Sequence, residues 1–182
     1  MFKTVTATIF ALTLGFSLNA SAQQPDLSGK HHIQAVGKTE GKGAYLHVWT
    51  YGQVVADKDY DATTFELVKV GEDDRKGKEC GLYHLKQHDG HYLCVKDGKV
   101  YGDKKAPAKD AQRWIIWDNG GVYSILFYDD ETKGANAVSF VSKDSGATVA
   151  KPNADGRYSI ELTKNNAGGR GLQHQIWDIT KE

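Results

Sequence analysis

The chain has 182 residues, in which 23 basic side chains are balanced by 23 acidic ones and only two cysteines occur. That balance argues against broad electrostatic attraction to nucleic acid or to an anionic membrane surface. The length suits one domain with a sizeable core and excludes a scaffold that depends on dense disulfide stapling.

The first 22 residues read as an export signal: Lys3 gives the positive start, residues 9–18 the apolar stretch, and Ala20-Ser21-Ala22 a small-residue cleavage site. The expectation is a secreted, extracellular protein whose single mature domain spans 23–182 and carries a net charge of −1, since Lys3 is the one charged residue removed. The sole Asn-x-Ser/Thr site, at Asn19, leaves with the signal. No later run approaches the roughly 20 apolar residues of a membrane span.

Taken in order, the mature chain alternates short apolar runs with turn signals. His32-Ile33-Gln34-Ala35-Val36 alternates and predicts a first strand, followed by a Gly/Lys-rich turn. AYLHVWTYGQVVADKDYDATTFEL comes next and ends in the period-two run Phe65-Glu66-Leu67-Val68. Residues 70–81, VGEDDRKGKECG, read as a charged, Gly-punctuated loop. Leu82-Tyr83-His84-Leu85 opens a second unit, Asp89-Gly90 is a hairpin signal, and GHYLCVKDGKVYGDKKAPAKDAQRW follows. After Trp114-Ile115-Ile116-Trp117, an Asp-Asn-Gly-Gly turn leads into residues 122–127, which open a third unit. Two strand candidates remain near the end. Gln175-Ile176-Trp177 repeats Gln112-Arg113-Trp114 and is the better closing strand, leaving residues 158–162 to an extended or inserted hairpin.

The two long stretches are copies of one pattern. Tyr45, Leu46, Val48, Gly52, Val54 and Phe65 match Tyr92, Leu93, Val95, Gly98, Val100 and Trp114, 46 to 49 residues later. A more worn copy, AVSFVSKDSGATVAKP, places Val138 at the Tyr92 position and Gly146 at the Gly98 position. A near-constant period of this size marks repeated supersecondary units, each unable to bury its apolar face alone. No sustained helical periodicity occurs, so the chain reads as all-β.

Three units of about four strands resemble a β-trefoil, with an additional hairpin in the third. The Y-L-x-V strands, the G-x-V strands (Gly52, Val54; Gly98, Val100) and above all Gln112-x-Trp114 and Gln175-x-Trp177 are similar to the ricin-B lectin repeat. Ala56-Asp57-Lys58 resembles the fascin repeat. Against the ricin-B pattern, His47 and Cys94 stand where the repeat has its sugar-binding aspartate, and Ala111 and His174 where it has an asparagine. The fold implied by the resemblance serves lectins, protease inhibitors, cytokines and actin bundlers alike, so function must come from the site.

Trp49 and Tyr51 lie between two strands of the first unit, at an expected hairpin tip with little core to enter. Aromatic faces there suit the C–H faces of sugar rings. Gln53 and Asp57 are the candidate polar partners, and glycans or glycoproteins the expected ligands. A second reading places an inhibitory loop at 70–81, where Arg75 and Lys76 would meet a secreted protease as the exposed basic loops of Kunitz-type inhibitors do. Trp114 and Trp177, by their repeating register, are core residues. Cys80 and Cys94, alone in an oxidising compartment, are expected to form a disulfide. His84, His88 and His91 fix no metal-ligand geometry, and Asp129-Asp130-Glu131 lacks the spaced oxygens of a calcium loop. Asp144-Ser145-Gly146 has no supporting His/Asp arrangement. The reading is a non-enzymatic binding protein without cofactor or metal.

Overall fold

Among the described residues the alternating apolar runs form strands, and Asp97-Gly98 and Asp89-Gly90 mark turns between them. The computed structural model describes residues 23–36, 43–75, 78–128, 136–141, 154–164 and 175–182. Among them are twelve strands and no helix: β1 Gly29–Ala35, β2 Tyr45–Val48, β3 Val54–Asp57, β4 Phe65–Arg75, β5 Lys78–Gln87, β6 Tyr92–Lys96, β7 Lys99–Asp103, β8 Arg113–Asp118, β9 Tyr123–Tyr128, β10 Asn136–Val141, β11 Tyr158–Lys164 and β12 Trp177–Lys181.

Six of them close a barrel. β1 pairs with β4, β4 with β5, β5 with β8, β8 with β9, β9 with β12, and β12 returns to β1 from His31↔Lys181 to Ala35↔Trp177. Closure leaves the six barrel strands themselves without an unpaired edge. The other six form the hairpins β2–β3, β6–β7 and β10–β11. Each unit thus supplies two barrel strands and one hairpin, the β-trefoil arrangement.

The core follows from the period of two. Ile33, Leu46, Phe65, Leu67, Tyr83, Leu85, Leu93, Trp114, Ile125 and Trp177 are essentially inaccessible and form one cluster. Phe65, Trp114 and Trp177 hold the equivalent position in each unit, and the Trp114 indole N–H donates to the Leu93 carbonyl at 2.9 Å, so burying the ring leaves no donor unpaired. Cys80, Leu82, Ile115, Leu126 and Tyr128 make a second, smaller cluster from the residues that alternate with the core set.

Three expectations are corrected. Residues 70–75 and 78–81 are strand rather than loop: β4 and β5 pair from Phe65↔Gln87 to Arg75↔Lys78 with a bulge between Lys69 and Gly71. Glu72, Asp74 and Glu79 are exposed, and this polar face concealed the strands although Cys80 and Leu82 on the arm are buried. Gly81 admits the returning Tyr83 hydroxyl, which a Cβ would meet at 2.5 Å.

Cys80 and Cys94 are not bonded, and both are buried. β6 meets β5 at Lys86↔Tyr92, a register that sets Cys94 near His84 and leaves Cys80 four residues further along. At about 3.3 Å per residue that is roughly 13 Å, beyond the ~7 Å Cα separation a disulfide spans.

Finally, the hairpin expected as an addition to the third unit is that unit's own. β11 is its third strand, pairing with β10 from Asn136↔Lys164 to Val141↔Ser159. The extra length lies between those strands, and the Gly146 stretch expected there falls outside the described residues, as do the proposed leader, Asp129-Asp130-Glu131 and Asp144-Ser145-Gly146. No helix of the described residues is long and apolar enough to cross a membrane.

Candidate functional site: a groove where the three repeats meet

The third strands of the three units, β3, β7 and β11, converge on one side of the molecule. They line a groove of about 800 Å³ formed by residues 51–54, 98–101 and 159–162. Its construction begins at the first hairpin. Trp49 donates its N–H to the Gln53 carbonyl at 2.8 Å and accepts from Gly52 at 2.7 Å, closing a tight turn in which Gly52 has φ 80°. The Gly102 N–H then donates to the Gly52 carbonyl at 2.7 Å, and Gln53 bridges Tyr101. The approach is too close for a side chain, since a Cβ on Gly52 would lie 2.6 Å from the Gly102 oxygen and one on Gly102 only 2.0 Å from Val48 Cγ1. β11 completes the wall through Tyr158↔Ala56 and Ser159↔Val55.

This turn holds Tyr51 out at the groove's rim, 96 % exposed. Gln53 and Lys99 line the groove as well, and both are exposed. They are the same residue of the repeat, the middle position of Gly52-Gln53-Val54 and of Gly98-Lys99-Val100. Tyr101, Ser159 and Glu161 add polar groups; partial burial, aided by Cys94 and Asp103, raises the Tyr101 pKa, so its phenol stays protonated. The arrangement offers an aromatic face beside donors and acceptors of both charge signs.

The four residues singled out for carbohydrate are parted. Tyr51 and Gln53 face the groove, whereas Trp49 and Asp57 belong to a neighbouring cluster. Trp49 is half-buried, its ring edge-on to Tyr60 at 5.6 Å and to His47 at 5.9 Å, with the Arg157 guanidinium 4.1 Å over its face. Arg157 Nε donates to Asp57 Oδ2 at 3.0 Å, and Asp57, itself 5 % exposed, accepts the Asp59 N–H on its other oxygen. His47 stacks on Tyr60 at 4.1 Å and bonds Thr63 Oγ1 at 2.9 Å. Burial pushes the His47 pKa below the ordinary imidazole value, although Asp89 and Asp57 oppose it.

Elsewhere, Arg75 ends β4 and Lys76 lies outside the described residues. His84 bonds the Ala111 carbonyl and His91 bonds Asp89, each at under 3 Å. Sequence reasoning missed Lys99, Tyr101, Ser159 and Glu161. For Lys99 a signal was present in its register with Gln53.

No family model matches the chain, and no curated protein matches it in sequence. Its fold is similar to that of the cytolethal distending toxin of Haemophilus ducreyi, with a TM-score of 0.54 and 11 % identity over 84 % of this chain and 83 % of that one. The cytolethal distending toxin of Actinobacillus actinomycetemcomitans gives a TM-score of 0.53 and 12 % identity over 84 % and 90 % of the two chains. Cry35Ab1 gives 0.53 and 17 % over 86 % of this chain but only 36 % of its own, so this chain spans about a third of that protein's length. At these identities the likeness is one of fold.

Proposed function

We propose that this chain is an exported, non-enzymatic binding protein of lectin type that takes a glycan in the groove between its three hairpins. The observation that carries the reading is Tyr51, a large aromatic left 96 % exposed at the rim of a groove. A side chain held there by a glycine-dependent turn contributes nothing to the core. Its face suits stacking against a sugar ring, while Gln53, Tyr101 and Ser159 suit the hydroxyls around it. Trp49 and Asp57 support the site from behind, since Arg157, the residue preceding β11, contacts both. The groove occurs once per chain because it is built from all three units together. A glycan array tests the reading. Binding is expected, and Tyr51→Ala should weaken it at least tenfold, about 1.4 kcal/mol, as loss of an aromatic anchor does. An array without binding, or binding indifferent to Tyr51→Ala, would overturn it.

A further inference from the structure

We propose that the groove selects saccharides carrying a negative charge, a carboxylate or a sulfate ester, held by Lys99 with Lys96 while the ring lies on Tyr51. The inference rests on the glycan-binding reading and deepens it.

Lys96 ends β6 and Lys99 begins β7, and the two are direct cross-strand partners flanking the Asp97-Gly98 turn. Residues paired in this way project from the same face of a hairpin, and like charges placed directly opposite each other destabilise the pair. Both ammonium groups are exposed, and among the described residues neither forms an ion pair, Asp97 in the turn between them included. A hairpin free to vary gains from removing one of these charges, whereas a hairpin that binds an anion has a use for both.

The second observation is where this pair sits. Lys99 lines the groove that Tyr51 overlooks, at the repeat position Gln53 holds in the first unit. The facing groups are few. Gln53 and Ser159 carry no charge, Tyr51 and Tyr101 present phenols, and Glu161 on the β11 wall is the one acidic side chain of the lining and is not without a contact of its own. Lys99 is therefore the one cationic side chain lining the groove among the described residues. An oxyanion on the sugar would convert a repulsive lysine pair into charge-assisted hydrogen bonds, which are roughly twice as strong as neutral ones.

The test is an array in which each acidic saccharide, uronate or sulfate ester, stands beside its neutral parent, probed with residues 23–182 and with Lys99→Gln, Lys96→Gln and Tyr51→Ala. The acidic member should bind at least tenfold more tightly than its parent, and Lys99→Gln should reduce it to the parent's level. Lys96→Gln should do so in part, and Tyr51→Ala should weaken both members. Thermal unfolding should show the lysine variants as stable as the parent protein or more so, separating lost recognition from lost structure. Whether uronates or sulfate esters dominate identifies the charged group. Parents bound as tightly as acidic members, or a preference that survives Lys99→Gln, would overturn the charge inference and leave the glycan reading standing; an array with no binding overturns both.

Discussion

The Gln112 side chain accepts the Val95 backbone N–H at 2.5 Å and donates to the Val95 carbonyl at 3.0 Å, clamping both backbone groups of one hairpin residue. Val48, the equivalent of Val95 in the first unit, is held in the same way at 2.6 and 2.9 Å, but by Gln87 of the second. The first unit has Thr63 where the second has Gln112, so its clamp is supplied from across the unit boundary. In the second unit the glutamine of the Q-x-W pattern therefore fastens the hairpin to the barrel while its tryptophan fills the core, and in the first unit Gln87 takes the glutamine's part.

Removing either clamp should cost stability. Gln87→Ala strands a buried N–H and carbonyl at Val48, a loss of about 2 to 4 kcal/mol. Urea unfolding would measure it, and hydrogen exchange should show deprotection localised at Val48. Gln112 has a left-handed φ of 54°, so Gln112→Gly should be less damaging than Gln112→Ala by about 1 kcal/mol. Equal losses would show that backbone strain is not stored there.

The clamp also shows how far the sequence was legible. Its repeat located the hairpins, the Q-x-W strands and the trefoil, because core positions at a period of two within a period near 47 are hard to produce otherwise. Gln87 escaped notice because no copy has a glutamine there. The β4–β5 arm escaped because Glu72, Asp74 and Glu79 face water. The cover that Arg157 puts over Trp49 was not legible either, since the two lie 108 residues apart. Such long-range partners leave no local pattern.

Trp49 and Tyr51 should behave oppositely despite lying two residues apart. Tyr51→Ala removes a side chain that touches water on nearly every side, so stability should stay within about 0.5 kcal/mol while glycan binding falls. Trp49→Ala removes the partner of Arg157, Tyr60 and His47 and should cost roughly 2 kcal/mol or more. Paired denaturation and binding curves would check this; the reverse pattern would return the ligand to Trp49.

Stability should fall with acid before carboxylates titrate. His31 is 4 % exposed on β1, where it pairs with Lys181 and Phe65 at the barrel seam, and its ring nitrogens make no well-aligned hydrogen bond among the described residues. Burial depresses its pKa, Lys181 adds to the effect, and the backbone of Leu27 and Ser28 offsets it only in part. A buried His84 shifts the same way. Because the unfolded chain takes up protons near pH 6.5 that the folded barrel refuses, stability is unaffected above that pH and declines below it. The melting temperature should be flat from pH 8 to 7 and drop between pH 6.5 and 5, less steeply in His31→Leu. A flat profile to pH 5 would contradict this.

Both thiols should be free yet inert in the native protein. Burial, with Asp103 nearby, pushes the Cys94 pKa up to about 11, and Cys80 is buried with its Sγ directed to the Asp73 carbonyl. A thiol reagent should label neither residue in the folded chain and both after denaturation without reductant. Recovery of a Cys80–Cys94 peptide would contradict the strand register.

The most direct test of the account is calorimetric titration of residues 23–182 with a glycan taken from the array. A groove built from all three units predicts one ligand per chain, with affinity reduced at least tenfold by Tyr51→Ala. Three ligands per chain, one for each repeat, or an affinity unmoved by Tyr51→Ala, would contradict it.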